Sequence, residues 1–265
     1  MILDLTDVSF RYPETEREAV SEVGLAVNGG ELIGLVGPNG SGKTTLLRLA
    51  AGTLHASDGS VAILDRPIAR WKRRDLACTI GVVSQREEPA FPMKVVETVL
   101  LGRYPHLGPW GALRPQDRDA VAYALARCDI THLRERWVAT LSAGEWQRVR
   151  IARALAQQPK ALLLDEATAN LDIRHEMEVF ELVSELVRTD RIAGLVVTHN
   201  VNLAARFVDR LVVMDRGSAR SIGAPKDVLR KELLEEIFEW PVEITTWHGI
   251  PQFVPLRKTT ASGEQ

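Results

Sequence analysis

Residues Gly37-Pro38-Asn39-Gly40-Ser41-Gly42-Lys43-Thr44 follow, without a gap, the spacing G-x-x-x-x-G-K-[ST] that cradles phosphate. Glycines at these positions let backbone N–H groups curl around phosphate oxygens, and a helix starting at the loop adds positive potential. Lys43 is the residue expected to reach the β- and γ-phosphates, and the Thr44 hydroxyl the one expected to ligate a magnesium ion. A second chemistry-bearing group is Asp165-Glu166, two carboxylates ending the apolar run Ala161-Leu162-Leu163-Leu164. Beside a phosphate loop, Asp165 is expected to hold magnesium through water, and Glu166 to orient or deprotonate an attacking water. A third group is Ser142-Ala143-Gly144-Glu145. It reads first as an S-x-x-E capping box, with Ser142 as N-cap and Glu145 at N3. A capped helix start with a glycine nearby can also offer N–H groups and a hydroxyl to an anion.

These groups need elements to hold them. Leu32-Ile33-Gly34-Leu35-Val36 is short and apolar, as a buried parallel strand is, and Thr45 to Ala51 is rich in helix formers. The phosphate loop therefore sits between a strand and a helix. Residues 1–35 read as strands and turns, with Val8, Phe10 and Tyr12 alternating on one face and Asn28-Gly29-Gly30 as a turn. Val61-Ala62-Ile63-Leu64 and Ile80-Gly81-Val82-Val83 are further strands. Residues 86–140 change character. They carry Pro89, Pro92, Pro105, Pro109 and Pro115, and helical stretches in one of which Val121, Leu125 and Cys128 share a face. A mainly helical lobe, inserted at about 86–145, is the expectation.

The pattern predicts a long helix over 142–158. Strands at 161–164 and 194–197 follow, separated by an amphipathic helix over 173–189. Strand–helix–strand order implies a parallel sheet. Leu211-Val212-Val213-Met214, followed by Asp215-Arg216-Gly217, reads as a strand entering a hairpin turn, and residues 226–238 as a helix. Residues 242–256 read as a small β appendage turning at His248-Gly249, with Pro251 and Pro255 keeping it at an edge. Residues 1–258 make one domain in this reading, and 259–265 a disordered tail.

Composition narrows the class. The chain has 265 residues, enough for one domain with an inserted lobe, and 33 basic residues against 35 acidic ones. That balance gives no electrostatic footprint for nucleic acid, and none is expected as a partner. Cys78 and Cys128 are far apart and lack metal-ligand spacing, as in a reduced cytoplasmic protein. No apolar run suits a transmembrane helix, and Met1-Ile2-Leu3-Asp4-Leu5 lacks the layout of a signal peptide. Any membrane role must then run through another subunit.

Gly37–Thr44, Gln85, Leu141–Glu145 with Gln147-Arg148, Leu162–Glu166, Asn170-Leu171-Asp172 and His199 occur in one order along nearly the whole chain. In that order the chain resembles ATP-binding-cassette ATPases. The resemblance implies an α/β fold: a P-loop NTPase core with a mainly parallel sheet, an antiparallel β subdomain and an inserted helical lobe. It implies ATP and Mg2+ as ligands and a head-to-tail homodimer that sandwiches two ATP molecules. Ser142, Gly144 and Glu145 of one subunit would then face the nucleotide held by Lys43 of the other. Tyr12 takes the position that stacks on adenine, next to a phosphate site of Gly37, Pro38, Asn39, Gly40, Ser41, Gly42, Lys43, Thr44 and Thr45. Gln85 resembles the glutamine that touches magnesium and the attacking water, and, as it opens the helical lobe, it could report nucleotide state to a partner. His199 resembles the switch histidine that contacts the γ-phosphate and steadies the catalytic carboxylate. Asp172 resembles the dimer-contact aspartate. Arg150 has no assignment, and His175-Glu176 reads as helix surface, since no second His follows at the zinc-motif spacing.

Three positions depart from the family pattern. Ala143 stands where glycine is usual, Ala167 where proline is usual, and Asn200 where aspartate is common. If residue 143 required φ > 0, Ala143 would carry strain of about 1 kcal/mol. None of the three removes a catalytic group.

Leu101-Gly102-Arg103-Tyr104-Pro105-His106 is similar to the Gly-Arg-x-Pro-His stretch of ATPases serving iron-siderophore, haem and cobalamin importers. Asp172-Ile173-Arg174-His175 and Asn200-Val201-Asn202-Leu203-Ala204 are similar to that branch as well. The other reading of the Gly-Arg-x-Pro-His stretch is that it packs the lobe. The branch implies an integral-membrane permease, a periplasmic or lipid-anchored substrate-binding protein, and a place at the cytoplasmic face of the membrane. The alternatives are an importer ATPase for another nutrient, such as a metal ion, and a cassette ATPase of DNA repair, chromosome structure or translation. The latter usually carry coiled-coil or zinc insertions or a second cassette, and this chain shows no sustained heptads.

Overall fold

The apolar runs at 32–36, 80–83, 161–164, 194–197 and 211–214 become strands of one sheet, because residues that alternate sides along a strand are here buried on both; the run at 61–64 belongs to a second sheet and ends at Ile63, with Leu64 exposed at φ 50°. The computed structural model describes residues 1–85, 87, 92–107, 111–166 and 171–257. The chain starts with β1 (Leu3–Phe10), β2 (Val20–Val27) and β3 (Leu32–Val36), then α1 (Lys43–Ala50). Next come β4 (Asp58–Ile63), β5 (Arg66–Pro67), α2 (Arg73–Thr79) and β6 (Ile80–Val83). The helices α3 (Val95–Leu100), α4 (Pro115–Arg127) and α5 (Ala143–Ala156) precede β7 (Ala161–Asp165). Then follow α6 (Ile173–Asp190), β8 (Ala193–Val197), α7 (Val201–Phe207), β9 (Arg210–Asp215) and β10 (Ser218–Gly223). The chain ends in α8 (Pro225–Val228), α9 (Lys231–Phe238) and the hairpin β11 (Val242–Trp247) and β12 (Ile250–Pro255).

The main sheet has the order β10-β9-β3-β8-β7-β6, with β10 alone antiparallel to its neighbour. A second sheet, β2-β1-β4-β5, is antiparallel throughout. Two cores result. Leu32, Val36, Leu162 and Leu164 face the core shared with α3 to α7. Ile33, Leu35, Ala161 and Leu163 face the core shared with α1 and the antiparallel sheet. Side chains one residue apart thus enter different cores, which is why these strands are apolar without alternation. Val121, Leu125 and Cys128 share one face of the first core, as their spacing predicts.

Several boundaries differ from the sequence reading. The helix over 142–158 ends at Ala156, because Gln158 takes φ 54° and Pro159 follows. The helix over 226–238 is two helices. Leu229 and Arg230 leave the helical region, and Leu229 turns into the core instead. Tyr12 lies past the end of β1. The alternation of Val8 and Phe10 is interrupted by shifts in register on both sides of Val8, and Asp7 has φ 47°. Val242–Pro255 does form a hairpin, with His248 and Gly249 at positive φ in its turn. Ala167, Asn170, Pro89, Pro109 and the tail 259–265 lie outside the described residues. Among the described residues no helix is long and apolar enough to cross a membrane.

Candidate functional site

Register places the reactive loops side by side. Leu35 and Asp165 both pair with Val197, and Val83 pairs with Leu164. The chain therefore leaves β3 at Gly37, β6 at Ser84, β7 at Glu166 and β8 at Thr198 along one carboxyl-end edge of the sheet. That edge is where α/β folds bind ligands.

The phosphate loop is held by close backbone approach. A Cβ on Gly37, at φ 146°, would lie 2.1 Å from the Met214 carbonyl oxygen, and one on Gly42, at φ 101°, 2.3 Å from that of Ala19. Only glycine fits either position. Pro38, Asn39, Gly40 and Ser41 line an open cleft with Arg216 and the end of α9. Lys43 Nζ donates to the carbonyls of Gly37 at 2.9 Å and Pro38 at 2.8 Å. Burial pushes the Lys43 ammonium below the usual lysine range, against the pull of Glu166 and Asp165. The Tyr12 hydroxyl lies 3.2 Å from Thr45 Oγ1, and the ring meets Phe10 edge-on.

Thr44 Oγ1 donates to Asp165 Oδ1 at 2.9 Å. Asp165 is 6% exposed. Burial raises its carboxyl above the ordinary aspartate value, with Thr44 opposing and Glu166 adding to the rise. Hydroxyl, carboxylate and amide oxygens from Thr44, Asp165 and Gln85 are hard donors that suit magnesium. Among the described residues no three His, Cys, Asp or Glu side chains gather as a metal cage. Magnesium held by one or two side chains together with substrate phosphates needs none.

Glu166 is the meeting point. One of its oxygens accepts from Gln85 Nε2, and the other contacts His199 Nε2. Its backbone takes φ 47°, an uncommon region for a residue with a side chain, while its N–H donates to Val197 O at 3.1 Å. The turn after Asp165 thus directs the carboxylate towards both neighbouring loops. Sequence spacing gives no sign of this backbone conformation.

Ser142, Gly144 and Glu145 lie elsewhere. Ser142 caps α5: its Oγ accepts from the Glu145 N–H at 3.2 Å, and its own N–H donates to Glu145 Oε2 at 2.7 Å. Glu145 also pairs with Arg136 at 3.2 Å. Among the described residues no hydrogen bond or ion pair joins residues 142–145 to the phosphate loop. Ala143 is the first residue of α5 and has ordinary helical backbone, so the strain considered for it does not arise. Gly144 is covered by His175, whose ring would lie 2.3 Å from a Cβ there. His175 also has Nδ1 at 2.8 Å from Asp172 Oδ1. It is not plain helix surface, because the first turn of α6 packs on the first turn of α5.

Two further groups were not readable as a site. Glu87, two residues after Gln85, is held by Arg153 through both oxygens and lies 3.5 Å from Arg150 Nε. Burial pushes its carboxyl up, but the two guanidiniums outweigh this and hold it below the usual range. Arg150, unassigned from sequence, thereby joins α5 to the segment that carries Gln85. The only hint was a run of arginines on an otherwise apolar helix. The Gly-Arg-x-Pro-His stretch closes the other end of α5. Arg103 Nη1 donates to Ala156 O at 2.7 Å, and His106 Nε2 sits 2.9 Å from Gln157 O. These side chains satisfy carbonyls left free at a helix end. Packing of the lobe is therefore what this stretch does here, whichever branch it marks.

Comparison with known proteins gives a consistent result. The family described as ABC transporter matches residues 20–169. The chain is 36% identical to the petrobactin import ATP-binding protein of Bacillus anthracis, over 95% of this chain and 93% of that one. It is 40% identical to the hemin import ATP-binding protein of Nocardia farcinica, over 86% of this chain and 78% of that one. It also superposes on a metal-chelate-type ABC transporter in an inward-facing conformation, with TM-score 0.84 and 26% identity, over 97% of this chain and 98% of that one.

Proposed function

The chain belongs to the ABC transporter ATP-binding family, and on that premise we propose that it is the ATP-hydrolysing subunit of an importer for an iron chelate, a siderophore or haem, driven through a membrane permease. The observation that carries the hydrolytic part is Glu166, held between Gln85 and His199 beside the phosphate loop. The petrobactin and hemin relatives support the cargo. Cobalamin rests on the branch resemblance alone.

Residues 1–258 act as one ATPase unit in this proposal. Gly37 to Thr45 hold the phosphates, and Tyr12 stacks on the base. Lys43 exchanges its loop carbonyls for β- and γ-phosphate oxygens. Thr44, Gln85 and, through water, Asp165 hold magnesium, which neutralises phosphate charge when bound. Glu166 accepts a proton from the attacking water. His199 steadies that carboxylate, and Gln85 orients the water. Ser142, Gly144 and Glu145 serve the nucleotide of a second copy of this chain. ATP closes the pair because it binds the closed state better than the open one. The Gln85 segment and the helical lobe pass closure to the permease at the cytoplasmic face, with a substrate-binding protein supplying cargo from the other side.

The test is ATP turnover by the chain reconstituted with its permease and binding protein, with ferric siderophore, haem or cobalamin added in turn. Stimulation by a siderophore or haem is the expected result. Basal turnover that responds to none of them would remove the cargo assignment and leave the ATPase standing.

A further inference from the structure

The C-terminal hairpin has no role in the scheme above, yet it is bonded to the helix that follows the switch histidine. Asn202, in the first turn of α7, uses its whole amide on one residue of β12. Its Nδ2 donates to Phe253 O at 3.0 Å, and its Oδ1 accepts the Phe253 N–H at 2.7 Å. The side chain thus completes the edge of the hairpin as a neighbouring strand would. Phe253 packs against Phe238 of α9, ring centroids 5.3 Å apart. The other side of the same turn is tied to α6: Asn200 caps α7 by accepting from the Leu203 N–H at 3.0 Å and donates to Glu176 Oε2 at 3.0 Å. His199 immediately precedes Asn200 and reaches Glu166. Glu166, His199, Asn202, Phe238 and Phe253 line one cleft of about 530 Å³.

We propose that the hairpin is a positioning element for His199, acting through Asn202. This rests on the ATPase reading above. The loop between β8 and α7 is only Thr198, His199 and Asn200; Thr198 ties it to Leu35 O and to the Asn200 N–H, but no such bond holds the His199 backbone among the described residues. Two amides, one anchored on α6 and one on the hairpin, fix the start of α7 and with it the direction in which His199 leaves the strand. Asn202 is a positioning residue, since it touches neither Glu166 nor the phosphate loop by any described bond.

The experiment uses the full chain with N202A, N202D, H199A and the H199A/N202A pair. Two quantities are read: ATP turnover, and the imidazole NMR resonance of His199, assigned by its loss in H199A. In N202A the resonance shifts and kcat falls about tenfold, the scale of a small misplacement of a reacting group, while KM for ATP stays within about twofold. N202D keeps an acceptor for the Phe253 N–H but sets a carboxylate oxygen against Phe253 O, so it shifts the resonance and lowers kcat as well. In the H199A background N202A lowers kcat no further, because coupled sites are not additive. An unmoved His199 resonance overturns the inference, and so does an equal loss of kcat in the H199A background. Should N202A not fold, N202D carries the same measurements. The resonance is read without turnover, so an unsubstituted chain that failed to hydrolyse ATP would sink the ATPase reading and still leave this inference tested.

Discussion

The hydroxyl of Thr44 and the carboxylate of Asp165 meet at 2.9 Å, joining the start of α1 to the end of β7. Two oxygens of the kind that magnesium takes are thus brought together by strand order. The arrangement costs stability, because Asp165 is buried and its carboxyl is raised above the ordinary value. A raised folded pKa means the folded chain holds its proton more tightly than the unfolded one. Stability from this group is then full below the unfolded value and lost as pH rises through the folded value. Asp165→Asn removes that loss and keeps an acceptor for Thr44. Thermal unfolding without nucleotide should show the variant gaining on the parent between pH 3 and pH 7, while turnover falls by about 100-fold. A gap between variant and parent that stayed constant or narrowed as pH rose would contradict the sign.

Glu166→Gln keeps a side chain that Gln85 and His199 can still hydrogen-bond, so the turn and the loops should stay in place. Only the proposed proton acceptor is lost. Turnover should drop by about 100-fold or more, with ATP binding unchanged and the closed dimer accumulating. Equilibrium ATP binding and size-exclusion with ATP check both halves. Near-parental turnover would remove Glu166 as base.

Lys43→Ala should act on binding itself. Nζ now bonds to two loop carbonyls, and burial has lowered its pKa, so a phosphate that restores full charge pairing is a strong competitor. Losing charge-assisted hydrogen bonds should weaken ATP affinity by roughly 10- to 100-fold. Isothermal titration with ATP reads this directly, and an unchanged affinity would contradict the role given to the loop.

Much of the site was legible because each motif follows an apolar run that must be a buried strand. Gly37, Gln85, Asp165 and His199 all come just after or at the end of such a run, and parallel strands bring their ends to one edge. The φ of Glu166 was not legible, since it depends on how the turn after β7 meets β8. Neither was the contact of His175 with Gly144, which needs two helices from distant parts of the chain. The break at Leu229 was hidden for a similar reason: the residue suits a helix, and burial in the core decided otherwise. Local pattern gives elements, and contacts across elements give the rest.

Arg103 and Asp117 form a buried pair, 2.9 Å apart and 4% and 3% exposed. Asp117 is held below the usual range first by the Arg114 N–H, against burial, and then by Arg103. A lowered folded pKa gives stability that is present above the unfolded value and lost as pH falls through the folded one. Arg103→Ala leaves the carboxylate buried without its cation and should cost about 3–5 kcal/mol at pH 7 by urea unfolding, and less at low pH. The double variant R103L/D117L should recover much of this, but not all, because Ala156 O still loses its donor and the Arg114 N–H its acceptor. Full recovery would make both of these bonds irrelevant to stability.

Ser142 tests the dimer. Within one chain it caps α5 and has no described bond to the phosphate loop. A head-to-tail pair would build each site from Lys43 of one copy and Ser142 of the other. Ser142→Ala should lower turnover and remove about 1 kcal/mol of capping. Ser142→Asn, also a good cap, should restore stability and not turnover. Mixed dimers decide the geometry. With Lys43→Ala on one copy and Ser142→Ala on the other, both lesions fall in one site and the second site is intact. With both substitutions on the same copy, each site carries one lesion. Turnover of purified mixed dimers should therefore be higher when the lesions are on different copies. The reverse order would mean that each copy uses its own Ser142, and the head-to-tail arrangement would fall.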